Sequence, residues 1–73
     1  MKDKLVIALG KQLKILRIES GIKQKDLSNK LKIPAPLLSM YETGKREPHL
    51  EFLSKYSKQL KIPLSKIFLR IES

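Results

Sequence analysis

Apolar residues recur at helical spacing along most of the chain. Leu5, Leu9, Leu13 and Leu16 follow one another at steps of four, four and three. This spacing places them on one face of an amphipathic helix. Gly21 follows this segment, where a glycine in the left-handed conformation commonly ends a helix. The pattern therefore predicts a first helix that ends just before Gly21.

Two short helices are predicted next. The second helix runs from about Gln24 to Leu31 and carries an acidic residue in its first turn, where a negative charge favours a helix N-terminus. The third helix begins within Pro34 to Pro36, because proline is tolerated in a first turn, where its missing N–H has no intrahelical partner. Gly44 is expected to end it.

Two more helices complete the pattern. Pro48 introduces a fourth helix over about 49–60, and Pro63 opens a short fifth helix with the sequence LSKIF. The face of the fourth helix that is predicted to be buried consists of Leu50, Leu53, Ser57 and Leu60. No alternating strand pattern is present, and the connections are only two to six residues long, as in helical bundles. The fold class is all-α, a compact five-helix bundle in one domain over residues 1–73.

The charge of the chain points to a polyanionic partner. Lys and Arg number 16 against 7 Asp and Glu, a formal net charge of +9, which favours nucleic acid. A membrane surface is the alternative, but each apolar helix face here has another such face to pack against, whereas an interfacial helix leaves its apolar face exposed. The apolar run at residues 5–9 is far too short for a membrane span, and no signal peptide is evident, so we expect a cytoplasmic protein.

The second and third helices and the tight turn between them, at about 24–43, are predicted to form a helix-turn-helix. In this motif the later of the two helices, here the third helix of the chain, enters the major groove of DNA. The run SGIKQKDLSNKLKIPAPLLSMYETGKREPHLEFLSKYSKQLKIPLSKIF, with LGKQLKILR before it, resembles the Cro and phage-repressor type of helix-turn-helix domain, also called the XRE family. The resemblance covers about residues 9–68 and implies a fold of the lambda-repressor-like type. The matching positions are Gly21, Gln24, Leu27, Leu31, Leu38, Ser39, Glu42, Gly44, Pro48, Leu50 and Leu60.

The resemblance also implies roles for individual residues. Arg17 and Glu42 match a partly buried salt bridge between helices one and three. Residues expected to read bases from the third helix are Ala35, Pro36, Leu37, Ser39 and Met40. Residues expected to contact DNA phosphates are Lys23, Gln24, Lys45 and Arg46.

The predicted reading helix carries few polar side chains. Apolar groups can still read DNA, because the thymine methyl group is a distinctive feature of the major groove. We therefore expect a preference for steps that contain thymine and a contribution from DNA shape. The same surface could instead dock a protein, since exposed apolar patches often do. Lys45 and Arg46 beside it, together with the net charge, favour DNA.

A single reading helix covers few base pairs, so a homodimer is expected. The candidate contacts are Phe52, Phe68, Leu69 and Ile71. The alternative for the last three is packing against the first helix near Ile7 and Ile18. The chain has no cysteine and a single histidine, His49, so we expect no enzymatic activity, metal or cofactor. The predicted function is a sequence-selective repressor of transcription. The alternatives are a restriction-modification controller and an antitoxin or regulator that binds a protein partner.

Overall fold

The computed structural model describes residues 4–68, which form five helices and no strand. The five predicted helices are all present, and the fold class is confirmed. Their bounds are α1 Lys4–Glu19, α2 Gln24–Leu31, α3 Ala35–Glu42, α4 Leu50–Leu60 and α5 Leu64–Phe68.

Two glycines end helices as the sequence pattern predicts. Gly21 follows α1 with φ +72°, and Gly44 follows α3 with φ +75°. Both values lie in the left-handed region, which glycine adopts without the steric cost that a Cβ atom imposes. These two residues therefore fix where the chain turns away from α1 and from α3.

The turn between α2 and α3 is repeated between α4 and α5. Residues 28–34 read SNKLKIP and residues 57–63 read SKQLKIP, so five of the seven positions are identical. The lysines at the two turns, Lys32 and Lys61, have φ/ψ of 59°/42° and 57°/43°. In each turn the isoleucine N–H donates to the serine carbonyl at 3.0 Å. This is the Schellman hydrogen bond that closes a helix C-terminus.

The core lies where the five helices meet. Leu13, Leu27, Leu38, Tyr56 and Ile67 are fully buried, and they come one from each helix. The hydroxyl of Tyr56 on α4 donates a hydrogen bond to the carbonyl of Leu13 on α1. A buried hydroxyl needs such a partner, because burial without one is costly.

The prediction of which face of α4 is buried is wrong at the first turn of this helix. Leu50 is 66% exposed, whereas Phe52 is only 5% exposed. The ring of Phe52 packs against Tyr41 of α3, with ring centroids 4.3 Å apart, and against Tyr56, at 5.7 Å. The partners on α3 thus decide which face of α4 turns inward. Phe52 belongs to the core of the protomer and does not offer an exposed surface for a dimer contact.

Candidate nucleic-acid interface

Helix α3 has one face in the core and one outside it. Leu38, Tyr41 and Glu42 are buried. At 100° per residue, the opposite face contains Pro36 and Met40, of which Pro36 is exposed and Met40 is half-buried. The structure therefore leaves an apolar outer face on α3, as the sequence predicted.

The other predicted base-reading residues flank this face. Ala35 and Ser39 lie on one side of it and are half-buried, whereas Leu37 lies on the other side and is also half-buried. The side chain of Leu37 lines an apolar groove of about 150 Å³ between α3 and the start of α4, together with Tyr41 and Phe52. Leu37 thus faces α4 in part, and Pro36 and Met40 are the residues of the set that point most directly away from the core.

Thr43 is an exposed polar residue on the outer face of α3 that the sequence analysis did not single out. Its hydroxyl donates to the carbonyl of Ser39, at 2.8 Å, so the oxygen lone pairs remain available as acceptors on the surface. The signal was present in the sequence, because Thr43 follows Met40 by three residues and Ser39 by four, the spacing of one helix face.

The predicted salt bridge between Arg17 and Glu42 is present and joins α1 to α3. Arg17 Nε donates to Glu42 Oε2 at 2.7 Å, and Nη2 donates to Oε1 at 3.2 Å, a two-point pairing. Arg17 Nη1 also donates to the carbonyl of Ile22 at 2.9 Å. The Glu42 side chain is only 1% exposed. The pair therefore ties the C-terminal end of α3 to α1 and to the chain segment that leads into α2.

Gln24 takes part in the same network. Its amide Nε2 donates to Glu42 Oε1 at 3.1 Å, so the first residue of α2 is linked to the last residue of α3. The contact fixes the Gln24 side chain at the N-terminal end of α2, next to the exposed Lys23. Lys23 precedes α2 with an extended backbone, and its side chain caps no N–H of the helix. The first N–H groups of α2 consequently remain available to an external acceptor.

Lys45 and Arg46 lie in the loop after α3 and are exposed. The backbone N–H groups of both residues donate to the carbonyl of Met40, at 2.9 and 3.3 Å, which folds the loop back onto the end of the helix. Gly44 contacts α1 so closely that a Cβ atom there would lie 2.8 Å from Ile7 Cα. Two cations are therefore held beside the outer face of α3 by a short, anchored loop.

The remaining predicted site residues lie elsewhere. Phe68 ends α5 and is 45% exposed. Leu69 and Ile71 fall outside the described residues 4–68. Nδ1 of His49 accepts a hydrogen bond from the N–H of Phe52 at 3.3 Å, so this residue caps α4. Among residues 4–68, no three His, Asp or Glu side chains are grouped so that they could hold a metal ion, and no helix within that range is long and apolar enough to cross a membrane.

The amino-acid sequence matches a known protein family. The family model described as helix-turn-helix matches residues 13–67, which is most of the chain. No curated protein sequence matches this chain. The matched range includes α2 and α3, the pair that the sequence analysis identified as the helix-turn-helix.

Several solved structures share the fold. The clp gene regulator ClgR from C. glutamicum superposes with a TM-score of 0.87 at 24% identity, covering 93% of this chain and 88% of that chain. The restriction-modification controller protein C.AhdI from Aeromonas hydrophila gives 0.82 at 24% identity, with 86% of this chain and 96% of that chain covered. A mutant of the restriction-modification controller protein C.Esp1396I superposes with a TM-score of 0.80 at 24% identity, covering 99% of this chain and 100% of that chain. At this identity the likeness establishes the fold.

Proposed function

The chain belongs to the helix-turn-helix family and is a DNA-binding transcriptional regulator, and from this premise we propose that it represses transcription as a homodimer on a two-fold symmetric operator. The observation that carries the proposal is the outer face of α3, where Pro36 and Met40 point away from the core beside the exposed cations Lys45 and Arg46. A helix of eight residues is about 12 Å long and fits the major groove.

The proposed roles divide the interface into positioning and reading. Lys23, Gln24, Lys45 and Arg46 contact phosphates and orient the domain on the duplex, because contacts to the backbone carry no base identity. The bond to Glu42 uses one of the two amide N–H groups of Gln24, so the other N–H group and the amide carbonyl oxygen are left for a further partner. That free N–H is the one that donates to a phosphate.

Base identity is read by α3. Met40, Pro36, Leu37 and Ala35 present apolar surface that fits the thymine methyl group. Ser39 is the polar reader of the set. The absence of long polar side chains from these five positions means that discrimination per base pair is modest and that the local shape and deformability of DNA contribute to selectivity.

A dimer is proposed because one reading helix contacts few base pairs, and two copies whose half-sites lie about 34 Å apart would double the contact. Phe68 is the described residue proposed for this interface, since a large ring that is 45% exposed has apolar surface left to bury. We further propose that the protein works in the cytoplasm and has no enzymatic activity.

The test is selection from a pool of random duplexes at about physiological salt, followed by sequencing of the retained DNA. The expected result is a two-fold symmetric motif rich in thymine, with half-sites one helical turn apart. A pool that remains unenriched, with binding that disappears as salt rises, would show that charge alone holds the DNA. The apolar face of α3 would then have to be assigned to a protein partner, as for an antitoxin.

A second candidate function is control of a restriction-modification system. It is favoured by structural likeness to two controller proteins, C.AhdI and C.Esp1396I, with TM-scores of 0.82 and 0.80. The selected motif distinguishes the two. A motif found upstream of adjacent methyltransferase and endonuclease genes in the source genome would support the controller, and a motif found elsewhere would support a repressor of other promoters.

A further inference from the structure

A depression of about 390 Å³ opens between the end of α2 and the outer side of α4. Its charged lining consists of four lysines: Lys30, Lys32, Lys55 and Lys58. The remaining lining residues are uncharged. The depression lies apart from the phosphate-contacting residues proposed above, which stand at the start of α2 and after the end of α3.

These lysines are almost free of acidic partners. The ion pairs among residues 4–68 are Arg17 with Glu42, which lies inside the protein, and Lys55 with Glu51 at 3.8 Å. The second pair is exposed on both sides, and such pairs contribute little. Four positive charges around one concave surface are therefore left for an external anion.

The position of the depression relative to α3 favours DNA as this anion. Lys32 precedes the first residue of α3 by three positions, whereas Lys45 follows the last residue by three. The helix between them is about 12 Å long, which is also the width of the major groove of B-DNA. Cations at the two ends of α3 can therefore meet the two sugar-phosphate backbones that border the groove.

We propose that the depression lined by Lys30, Lys32, Lys55 and Lys58 binds the phosphate backbone of double-stranded DNA, beyond the base pairs read by α3. The inference rests on the proposed function, because it places α3 in the major groove. It adds a second backbone contact, made by the end of α2 together with α4, and so extends the footprint on one side of the reading helix.

The repeated turn supplies a matched control for the test. Lys32 and Lys61 have the same backbone conformation in the same sequence context, but Lys61 does not line the depression. The double variant Lys32→Gln/Lys58→Gln is compared with Lys61→Gln/Lys66→Gln. Each pair removes two charges, one from a left-handed turn position and one from a helix, so the overall electrostatic change is equal.

Binding of both double variants is measured on a mixed-sequence duplex of roughly 30 base pairs, about three helical turns, at several salt concentrations. Each phosphate contact that is lost makes the log–log salt slope shallower by about 0.9. The Lys32/Lys58 variant is expected to make the salt slope shallower by about two units. The Lys61/Lys66 variant should retain nearly the wild-type salt slope.

Each other outcome decides the question. Equal salt slopes for the two double variants would overturn the backbone contact and leave the depression to another anion, such as an acidic protein segment. This test uses unselected DNA, so a pool selection without enrichment would refute reading by α3 and leave this result standing. Failure of the wild-type protein to bind any duplex would overturn both the proposed function and the backbone contact at the depression.

Discussion

Lys32 and Lys61 adopt the same left-handed backbone conformation at the ends of two different helices, with φ of 59° and 57°. Such a conformation costs a residue with a Cβ atom roughly 1–2 kcal/mol, and glycine avoids that cost at the expense of greater freedom in the unfolded chain. The basic side chain is compatible with a helix C-terminus, where a positive charge is favourable. Each turn therefore keeps a lysine where glycine would be less strained.

Lys32→Gly should raise the free energy of unfolding by about 0.5–1 kcal/mol, the strain relieved less the added entropy of the unfolded chain. Thermal denaturation of the variant and the wild type measures this gain in stability. Lys61→Gly should give a similar gain, because the turn is the same. Lys32→Ala removes the charge but keeps the Cβ atom, so a gain of equal size in this variant would show that charge repulsion, and not backbone strain, is being relieved.

The helix bounds could be predicted because local chemistry sets them. Gly21 and Gly44 supply positive φ after α1 and α3, and prolines introduce three of the helices. Which face of α4 is buried could not be predicted in the same way. Leu50 and Phe52 both fit a helical apolar pattern, and only the ring of Tyr41 on α3 decides that Phe52 turns inward. That contact joins distant parts of the chain.

Part of the candidate site could also be predicted from the sequence, and part could not. The partnership of Arg17 with Glu42 could be expected from the resemblance to known repressors, and the bond is present. The basic depression between α2 and α4 could not be expected, because Lys32 and Lys58 lie far apart in sequence and meet only when the two helices pack side by side. The repeated SxxLKIP turn was visible in the sequence, but helical periodicity alone does not reveal it.

Gly10→Ala should destabilise the protein, although alanine usually favours a helix interior by about 1 kcal/mol over glycine. A Cβ atom at position 10 would overlap the carbonyl oxygen of Tyr41 and lie 3.0 Å from that of Glu42. Both atoms are backbone, so α1 and α3 must move apart. A loss of about 1–3 kcal/mol is expected in denaturant unfolding. An unchanged or raised midpoint would mean that the two helices separate at little cost.

Arg17→Ala should lower the free energy of unfolding by about 3–5 kcal/mol, because it leaves the Glu42 carboxylate buried without its cation. The preferred DNA sequence of the protein that remains folded should change little, since Arg17 does not lie on the outer face of α3. The control is the double variant Arg17→Met/Glu42→Leu, which should be more stable than Arg17→Ala. Equal losses in the two variants would indicate that packing, and not the uncompensated charge, causes the effect.

The phenol of Tyr56 makes stability depend on alkaline pH. Burial raises its pKa above the ordinary value of 10.0, the negative charge of Glu42 raises the pKa further, and Arg17 lowers it. Between the unfolded and folded pKa values the unfolded state has lost the proton and the folded state has kept it. The contribution of Tyr56 to stability is therefore complete below pH 10.0 and declines as the pH rises above it.

Tyr56→Phe isolates this effect. At neutral pH the variant should be less stable by about 0.5–1.5 kcal/mol, because the hydrogen bond to the Leu13 carbonyl is lost. Above about pH 10 the difference between the two proteins should shrink, since only the wild type carries the phenol that must lose its proton on unfolding. Urea unfolding at a series of pH values measures both, and a difference that stays constant to high pH would contradict the burial of a protonated phenol.

Met40→Ala and Lys45→Ala should affect DNA binding in different ways. Met40 lies on the outer face of α3, so its loss should weaken binding to the selected motif by about 1 kcal/mol and leave binding to unrelated duplexes almost unchanged. Lys45 is an exposed cation in the loop after α3, so its loss should weaken binding to every duplex alike and make the salt slope shallower by about 0.9. Competition titrations at two salt concentrations separate the effects. If both variants weakened all duplexes equally, Met40 would not be reading bases, and the selectivity of the protein would have to come from the shape of the DNA.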